Sequence, residues 1–361
     1  MTASRRSGSR THRFVVALAT TALFVAGCAA PAASPRSASV ASPASAPPSA
    51  SPAPQSSAAT SPFTSASPSA AAFPLTLTDD EGTSVTIAAE PTKIVSLNPA
   101  TTETLFALGV GDRVKGRSED IFLYPPEAKP IPEVVKSGKV DVEKVVALQP
   151  DLVFAEGNSF TPPEAVAKLR SLGLNVVVLY APNVDTVKKD IELTGRAVGR
   201  GTEAATMTDR IDSEFAAVEA AVASLPHPRV YYEIDSQGAY YAPSDNSFLE
   251  EMITEAGATP ITTGSANKFD ISAERLVAAD PQLILLADAA FGVTPEQVKD
   301  RAGWTAMTAV KNGDIRPIDD QTVTRPGPRI SQGLALLAHT IHPDAAIPSL
   351  RPVSPLGSPA P

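Results

Sequence analysis

One unit occurs twice in this chain, 131 positions apart, and it restricts the fold more than any other feature of the sequence. Asp141 and Ser272 each offer a side chain that caps a helix, Glu143 and Glu274 follow in the first turn, and an apolar stripe continues to Pro150 and Pro281. The proline ends the helix, and a short apolar run including Leu152 or Leu283 then reads as a buried strand. Helix, stop and buried strand, once per half, predict two α/β lobes built to one plan. The spacing is too wide for a solenoid, whose units recur every 20–50 residues or so, about a third of this distance.

A chain of 361 residues accommodates two ordinary domains, and neither includes the N-terminus. Arg5, Arg6, Arg10 and Arg13 precede an apolar run from Phe14 to Ala26, which is the layout of a secretory signal and too short for a membrane span. The run closes on Leu23-Phe24-Val25-Ala26-Gly27-Cys28 and resembles the lipobox of a bacterial lipoprotein. That resemblance implies removal of residues 1–27, lipidation of Cys28, and an extracytoplasmic protein anchored at the cell membrane. Cys28 is the sole cysteine, so the exported fold has no disulfide and its core must suffice.

Residues 28–73 collapse to Ala, Ser, Pro and Thr, a composition that cannot offset its chain entropy by burial and reads as a disordered tether. Its reach is on the order of 35–40 Å. The five arginines before residue 74 have no acidic counterpart, so the folded part is more acidic than the whole chain's formal charge of −9. An acidic fold argues against nucleic acid and suits a partner with basic docking sites.

Residues 74–184 read as the first lobe. Leu75-Thr76-Leu77-Thr78 and Ser84-Val85-Thr86-Ile87 alternate around Asp79-Asp80-Glu81-Gly82, which predicts a hairpin. A buried strand from Lys93 to Leu97 runs into a helix from Thr101 to Leu108, closed by Gly109. Thr161-Pro162-Pro163-Glu164 predicts a capped helix to Leu172, before a strand from Val176 to Leu179. The lobe is expected as strand, helix, strand, helix, strand in a mostly parallel sheet.

Residues 185–226 carry two helices, Asp185 to Val198 and Thr202 to Ser224. Met207, Ile211, Phe215, Val218 and Val222 recur at helical spacing in the second, making it a stiff rod of about 35 Å between the lobes. Residues 227–343 repeat the lobe plan, with a strand from Arg229, a helix from Ser247, a capping box at Thr294-Pro295-Glu296-Gln297, a strand from Asp314 and a helix near Ile330 to Ile341. The tail, 344–361, returns to Pro, Ser and Ala and is expected to fray.

The fold carries no cysteine and no Gly-x-Ser-x-Gly elbow, so catalysis is not expected, nor a resident cofactor or metal. His339 and His342 share a helix end with no third ligand nearby in sequence and read as structural.

Several segments, taken in order, resemble one family. Asp80-Glu81-Gly82 with Val85-Thr86-Ile87, the run from Lys93 to Glu103, Tyr124-Pro125-Pro126-Glu127-Ala128, the run from Leu148 to Val153, and Arg325-Pro326-Gly327-Pro328-Arg329-Ile330 carry the likeness. It is to the helical-backbone substrate-binding proteins of ABC importers for ferric siderophores, cobalamin and haem, and it spans residues 75–343. The resemblance implies two α/β lobes joined by one rigid helix, a monomer, and a ligand held between the lobes for delivery to a permease dimer with its ATPase. It also implies that one glutamate per lobe docks on permease arginines, by position Glu143 and Glu274. A monomer meeting a twofold receptor must indeed offer an equivalent carboxylate from each half. Complementing the helix dipole is the ordinary alternative for both.

The cleft is expected outside the carboxyl ends of the strands, which nominates Asn98, Pro99, Asn158, Phe160, Asp235, Ser236, Tyr240, Tyr241, Phe291 and Arg325, with Phe122 and Tyr124 from the loop before the Pro-Pro pair. Arg325 falls on a motif position that contacts ligand in cobalamin-binding relatives. Anionic ferric siderophores call for several cationic side chains, and only Arg325 and Arg117 offer themselves. Cobalamin, amide-rich and in need of aromatic walls, is the leading expectation, with a ferric siderophore next. Tyr124, Tyr240 or Tyr241 as an axial ligand keeps haem open. An exported sensor or enzyme on the same fold is the alternative from another class.

Overall fold

Two sheets of mainly parallel strands, one per lobe, organise the computed structural model, which describes residues 73–353. The signal segment, Cys28, the tether before Phe73 and the last residues of the tail lie outside the described residues. In the first lobe Leu75–Thr78 and Ser84–Ile87 form the expected antiparallel hairpin. Asp79 fixes its turn by accepting from Glu81 N at 3.1 Å and Thr83 N at 2.7 Å while pairing with Arg170 at 2.7 Å.

The six-stranded sheet runs in the order Lys139–Val140, Glu133–Lys136, Val114–Ser118, Ile94–Ser96, Leu152–Glu156, Val176–Leu179. Only the first pair is antiparallel. Val114–Ser118 and Glu133–Lys136 are strands that the sequence reading lacks. Val-Lys-Gly-Arg-Ser has no apolar run to betray it, and its glycine has a packing reason. A Cβ on Gly116 would meet Leu148 at 2.8 Å and Val134 at 2.9 Å.

The second lobe holds a four-stranded parallel sheet in the order Thr259–Pro260, Arg229–Glu233, Leu283–Leu286, Ile315–Pro317. Between the lobes runs the helix Gly201–Val222, whose 22 residues span about 33 Å. Met207, Ile211, Phe215, Val218 and Val222 are all buried along it. Helices Val184–Ala197 and Ile330–Ile341 pack on this rod. The first approaches so closely that a Cβ on Gly195 would sit 2.3 Å from that of Ala204.

Strand alternation assigns each sheet face to a different core. Leu152, Phe154, Val177 and Leu179 of the first lobe, Val230, Tyr232, Leu283 and Leu285 of the second, and the rod's stripe form one continuous apolar cluster. Val153, Ala155, Val176 and Val178 face a separate outer cluster, as do Tyr231, Ile284 and Leu286 on the other side. Each large side chain in the shared cluster contributes about 1.5–3 kcal/mol by burial, so separating the lobes widely is costly.

The repeat extends to backbone detail. Gln149 and Asp280, the residues before the two prolines, both take positive φ, 51° and 46°. One step past each proline, Asp151 N donates to Lys93 O and Gln282 N donates to Arg229 O, both at 2.8 Å. The side chains answer in kind: Asp151 accepts from Lys93 N at 2.9 Å and Gln282 from Arg229 N at 3.0 Å. Each copy therefore clamps its strand to the neighbouring one in the same way.

Some local expectations are corrected. Thr161 does not cap a helix; its hydroxyl accepts from Glu156 N at 2.9 Å and braces the loop, while helix Pro163–Ser171 starts without a side-chain cap. At Thr294 the capping box does form. The helix expected from Thr101 begins at Pro99, capped by Asn98. The tail does not fray directly after Pro343: Val353 is buried and its carbonyl accepts from Tyr124 Oη at 2.8 Å.

Candidate functional site

Loops at the carboxyl ends of the strands of both lobes meet at one seam. Phe122 follows strand Val114–Ser118 and Phe291 follows strand Leu283–Leu286, and their rings touch edge to face with centroids 5.8 Å apart. Both remain open to solvent, at 36 % and 58 % exposure, and Phe160 on the loop after Leu152–Glu156 is 60 % exposed. Large apolar side chains left in water at the ends of strands are the unusual observation here, since scattered leucines on a surface mean little.

A charged knot crosses the same seam. Helix Pro99–Ala107 buries every residue from Ala100 onward, and its single charge, Glu103, sits between two arginines of the other lobe. Arg325 donates to Glu103 at 2.7 Å, to Asp120 at 2.9 and 3.1 Å, and to Gln321 at 2.7 Å. Arg329 reaches Glu103 through two nitrogens, both at 2.8 Å, and lies 4.1 Å over the ring of Tyr124. Burial works against the charge on Arg325, but Glu103 and Asp120 outweigh it and hold its pKa above the ordinary value. The expected free cleft cation is therefore paired on every side.

Sequence reasoning missed Glu103, Asp120 and Gln321 as parts of this site. A legible signal existed for one of them: a lone glutamate in an otherwise apolar and threonine-rich helix needs a buried partner.

The other nominated residues divide. Phe122 and Phe160 stand in the open on seam loops. Asn158, at φ 53°, donates to Tyr180 Oη at 3.0 Å and keeps an exposed position. Asn98 is buried, spending its side-chain oxygen on Thr101 N at 2.9 Å, and Pro99 opens the same helix. Both shape the seam from behind. Tyr124 is turned away, its hydroxyl on the Val353 carbonyl and its face under Arg329. Tyr240 packs into the second lobe against Trp304 at 4.9 Å, with Arg301 5.1 Å above its ring, and Tyr241 is half-buried beside it. Arg301 is in turn bound by the fully buried Glu233 at 2.7 Å. Among the described residues no group of three or more His, Cys, Asp or Glu is arranged to hold a metal ion.

Beside Asn98 lies a partly open crevice lined also by Thr101, Glu156, Tyr180 and Asp190, with a volume of about 20 Å³, room for one water. Burial pushes Glu156 up to about 7, against a hydrogen bond from Asn98. Burial, and next the neighbouring Asp80, push Asp190 up to about 9, and its Oδ1 has no hydrogen-bond partner. An acid whose folded pKa is raised holds its proton when folded and loses it when unfolded. Its contribution is complete below the unfolded value near 4 and declines as pH rises towards about 9. Asp190→Asn, which supplies a donor to Asp80 without a charge, is expected to melt above wild type at pH 8, with the gap closing towards pH 4. Thermal melts across pH check this, and a gap independent of pH would contradict it.

Glu143 and Glu274 occupy the same place in their two helices, Val142–Ala147 and Ala273–Ala279, each the second residue after the cap. Asp141 accepts from Lys144 N at 2.9 Å and Ser272 from Arg275 N at 3.2 Å. Each helix follows a two-residue antiparallel strand and precedes a central parallel one. Both glutamates are exposed, and among the described residues neither has an ion-pair partner within 4.0 Å. The Glu274 carboxylate is held below its usual range by its own backbone N–H and by Ser272.

Two similar α/β lobes sharing one rod, with an aromatic seam between them, define a two-lobed solute-binding protein. The family model described as periplasmic binding protein matches residues 94–322, and the chain belongs to that family. It is a binding protein, not an enzyme. The uncharacterized ABC transporter substrate-binding lipoprotein YvrC of Bacillus subtilis (strain 168) is 32% identical over 273 residues, 74% of this chain and 85% of that protein. A cobalamin-binding protein of Halobacterium salinarum is 29% identical over 275 residues, 73% of each. Among solved structures, the periplasmic heme-binding protein RhuT from Roseiflexus sp. RS-1 aligns with a TM-score of 0.62 at 25% identity, covering 70% of this chain and 98% of that one.

Proposed function

We propose that this protein is the extracytoplasmic substrate-binding component of an ABC importer, tethered through a lipid on Cys28, that takes a corrinoid such as cobalamin into the seam. Glu143 and Glu274 then seat it on two symmetric basic sites of the permease dimer. The observation that carries this reading is the duplicated exposed glutamate, identical in helix position and, among the described residues, free of ion pairs in both lobes. Capping the helix dipole needs no such match, because Asp141 and Ser272 already satisfy the caps. The relatives named for cobalamin support the ligand class.

The seam's chemistry favours the same ligand over haem or an anionic ferric siderophore. Its arginines are neutralised by Glu103 and Asp120, and the Tyr124 hydroxyl that would serve an iron is committed to the Val353 carbonyl. Open phenylalanines and amide side chains suit a large, uncharged, amide-rich molecule. Calorimetric titration with cyanocobalamin is expected to give one site per chain with micromolar or tighter affinity, about −8 kcal/mol or better. No heat and no retained ligand on desalting would remove cobalamin from the reading, and tight binding of haem instead would replace it.

A further inference from the structure

We infer that Asp120 is a specificity-determining residue, the counter-charge that cancels Arg325 and so closes the seam to anionic chelates. This rests on the reading of the seam as the ligand site. Arg325 comes from the second lobe, between the short helix Asp320–Val323 and the helix Ile330–Ile341, while Asp120 and Glu103 come from the first. Within the knot two guanidiniums face two carboxylates in direct contact. Asp320 stands near but is engaged by Tyr232 Oη at 2.8 Å and by Thr324 at 3.1 Å.

The two carboxylates differ in what they do. Glu103 has a side chain 1 % exposed and serves both arginines, so it belongs to the interior of the fold. Asp120, its side chain 6 % exposed, serves Arg325 alone and stands on the seam loop, two residues before the open Phe122, so it differs from Glu103 in its place and its partners rather than in burial. Among the described residues its one other hydrogen bond is from Phe122 N at 3.1 Å, which shapes that loop. An anionic ligand seated at the seam beside Phe122 and Phe291 faces an arginine whose charge is already spent and a carboxylate that repels it. Like charge brought against a partly desolvated carboxylate is a strong basis for rejecting a partner.

Asp120→Asn keeps the size, the oxygen for Phe122 N and one acceptor for Arg325 while leaving one guanidinium charge uncompensated. The purified, delipidated protein is titrated with neutral cyanocobalamin and with a ferric tris-catecholate chelate, which carries three negative charges. The affinity ratio of the anionic to the neutral probe is expected to rise at least tenfold in Asp120→Asn. The rise is expected to vanish in Asp120→Asn combined with Arg325→Met. Asp120→Ser, which retains an oxygen for the loop, repeats the measurement if the asparagine variant melts early. A ratio that stays within threefold of wild type in a folded variant overturns the proposal, as does a gain that survives loss of Arg325. Failure of the wild type to bind cyanocobalamin strikes the ligand reading alone, because the same tenfold gain is then read in the affinity for the anionic probe itself, Asp120→Asn against wild type.

Discussion

Uptake through the intact importer is expected to fall at least 100-fold when Glu143→Ala and Glu274→Ala are combined, with ligand affinity unchanged. The argument is one of geometry and charge. Each carboxylate sits at the second position of a helix whose cap is satisfied by another residue, so its removal costs the fold little. At a receptor, however, truncating one member of a desolvated carboxylate–guanidinium contact costs about 2–5 kcal/mol. Two such losses exceed what a transient docking complex sustains. Single variants are expected to fall between wild type and the double variant, and similarly for either lobe, because the two sites are equivalent by the repeat. Uptake of radiolabelled ligand in cells checks this, with calorimetry on the same purified variants. Undiminished uptake by the double variant would refute the docking roles.

The second large effect is on stability. Glu103→Ala strands Arg325 and Arg329 in a site where their side chains are 9 % and 12 % exposed. Breaking a buried pair by removing one partner costs about 3–5 kcal/mol, because the remaining charge is desolvated without compensation. Here two guanidiniums lose a partner, although Asp120 and Gln321 keep part of the Arg325 shell. For a chain of this size the melting temperature is expected to drop by roughly 10 °C. Glu103→Gln is expected to cost less, since its amide oxygen still accepts from one guanidinium. A shift below about 2 °C for the alanine variant would mean that the knot adds little to the fold.

Much of the architecture was legible because it is written in periodicity. The stripe Met207, Ile211, Phe215, Val218 and Val222 marks the rod, and the run Leu283 to Leu286 marks a strand buried on both faces. The strand Val114–Ser118 was not legible, because beyond Val114 its buried positions are an arginine, a serine and a glycine whose role appears only when Leu148 and Val134 close over it. Tyr124 illustrates the harder limit. As a tyrosine beside a Pro-Pro pair it reads as a cleft aromatic, and nothing local reveals that a carbonyl 229 residues later will claim its hydroxyl. Arg325 reads as a free cation for the same reason: its partners lie 205 and 222 residues away, on the other lobe.

The duplicated unit was legible at the level of side chains, and the structure carries the duplication further. Gln149 and Asp280 share a left-handed backbone, and Asp151 and Gln282 make the same clamp with different chemistry. A carboxylate and an amide both present the acceptor that a strand's first N–H requires. Such equivalence is invisible to residue identity and is fixed by the hydrogen bonding of the sheet edge.

Hydrogen exchange with and without cyanocobalamin tests most directly the claim that the ligand lies between the lobes. Slowed exchange is predicted in segments 98–101, 119–124, 157–160 and 288–292, drawn from both lobes, with the rod 201–222 unchanged. Slowing confined to one lobe, or to the outer faces of the sheets, would contradict it.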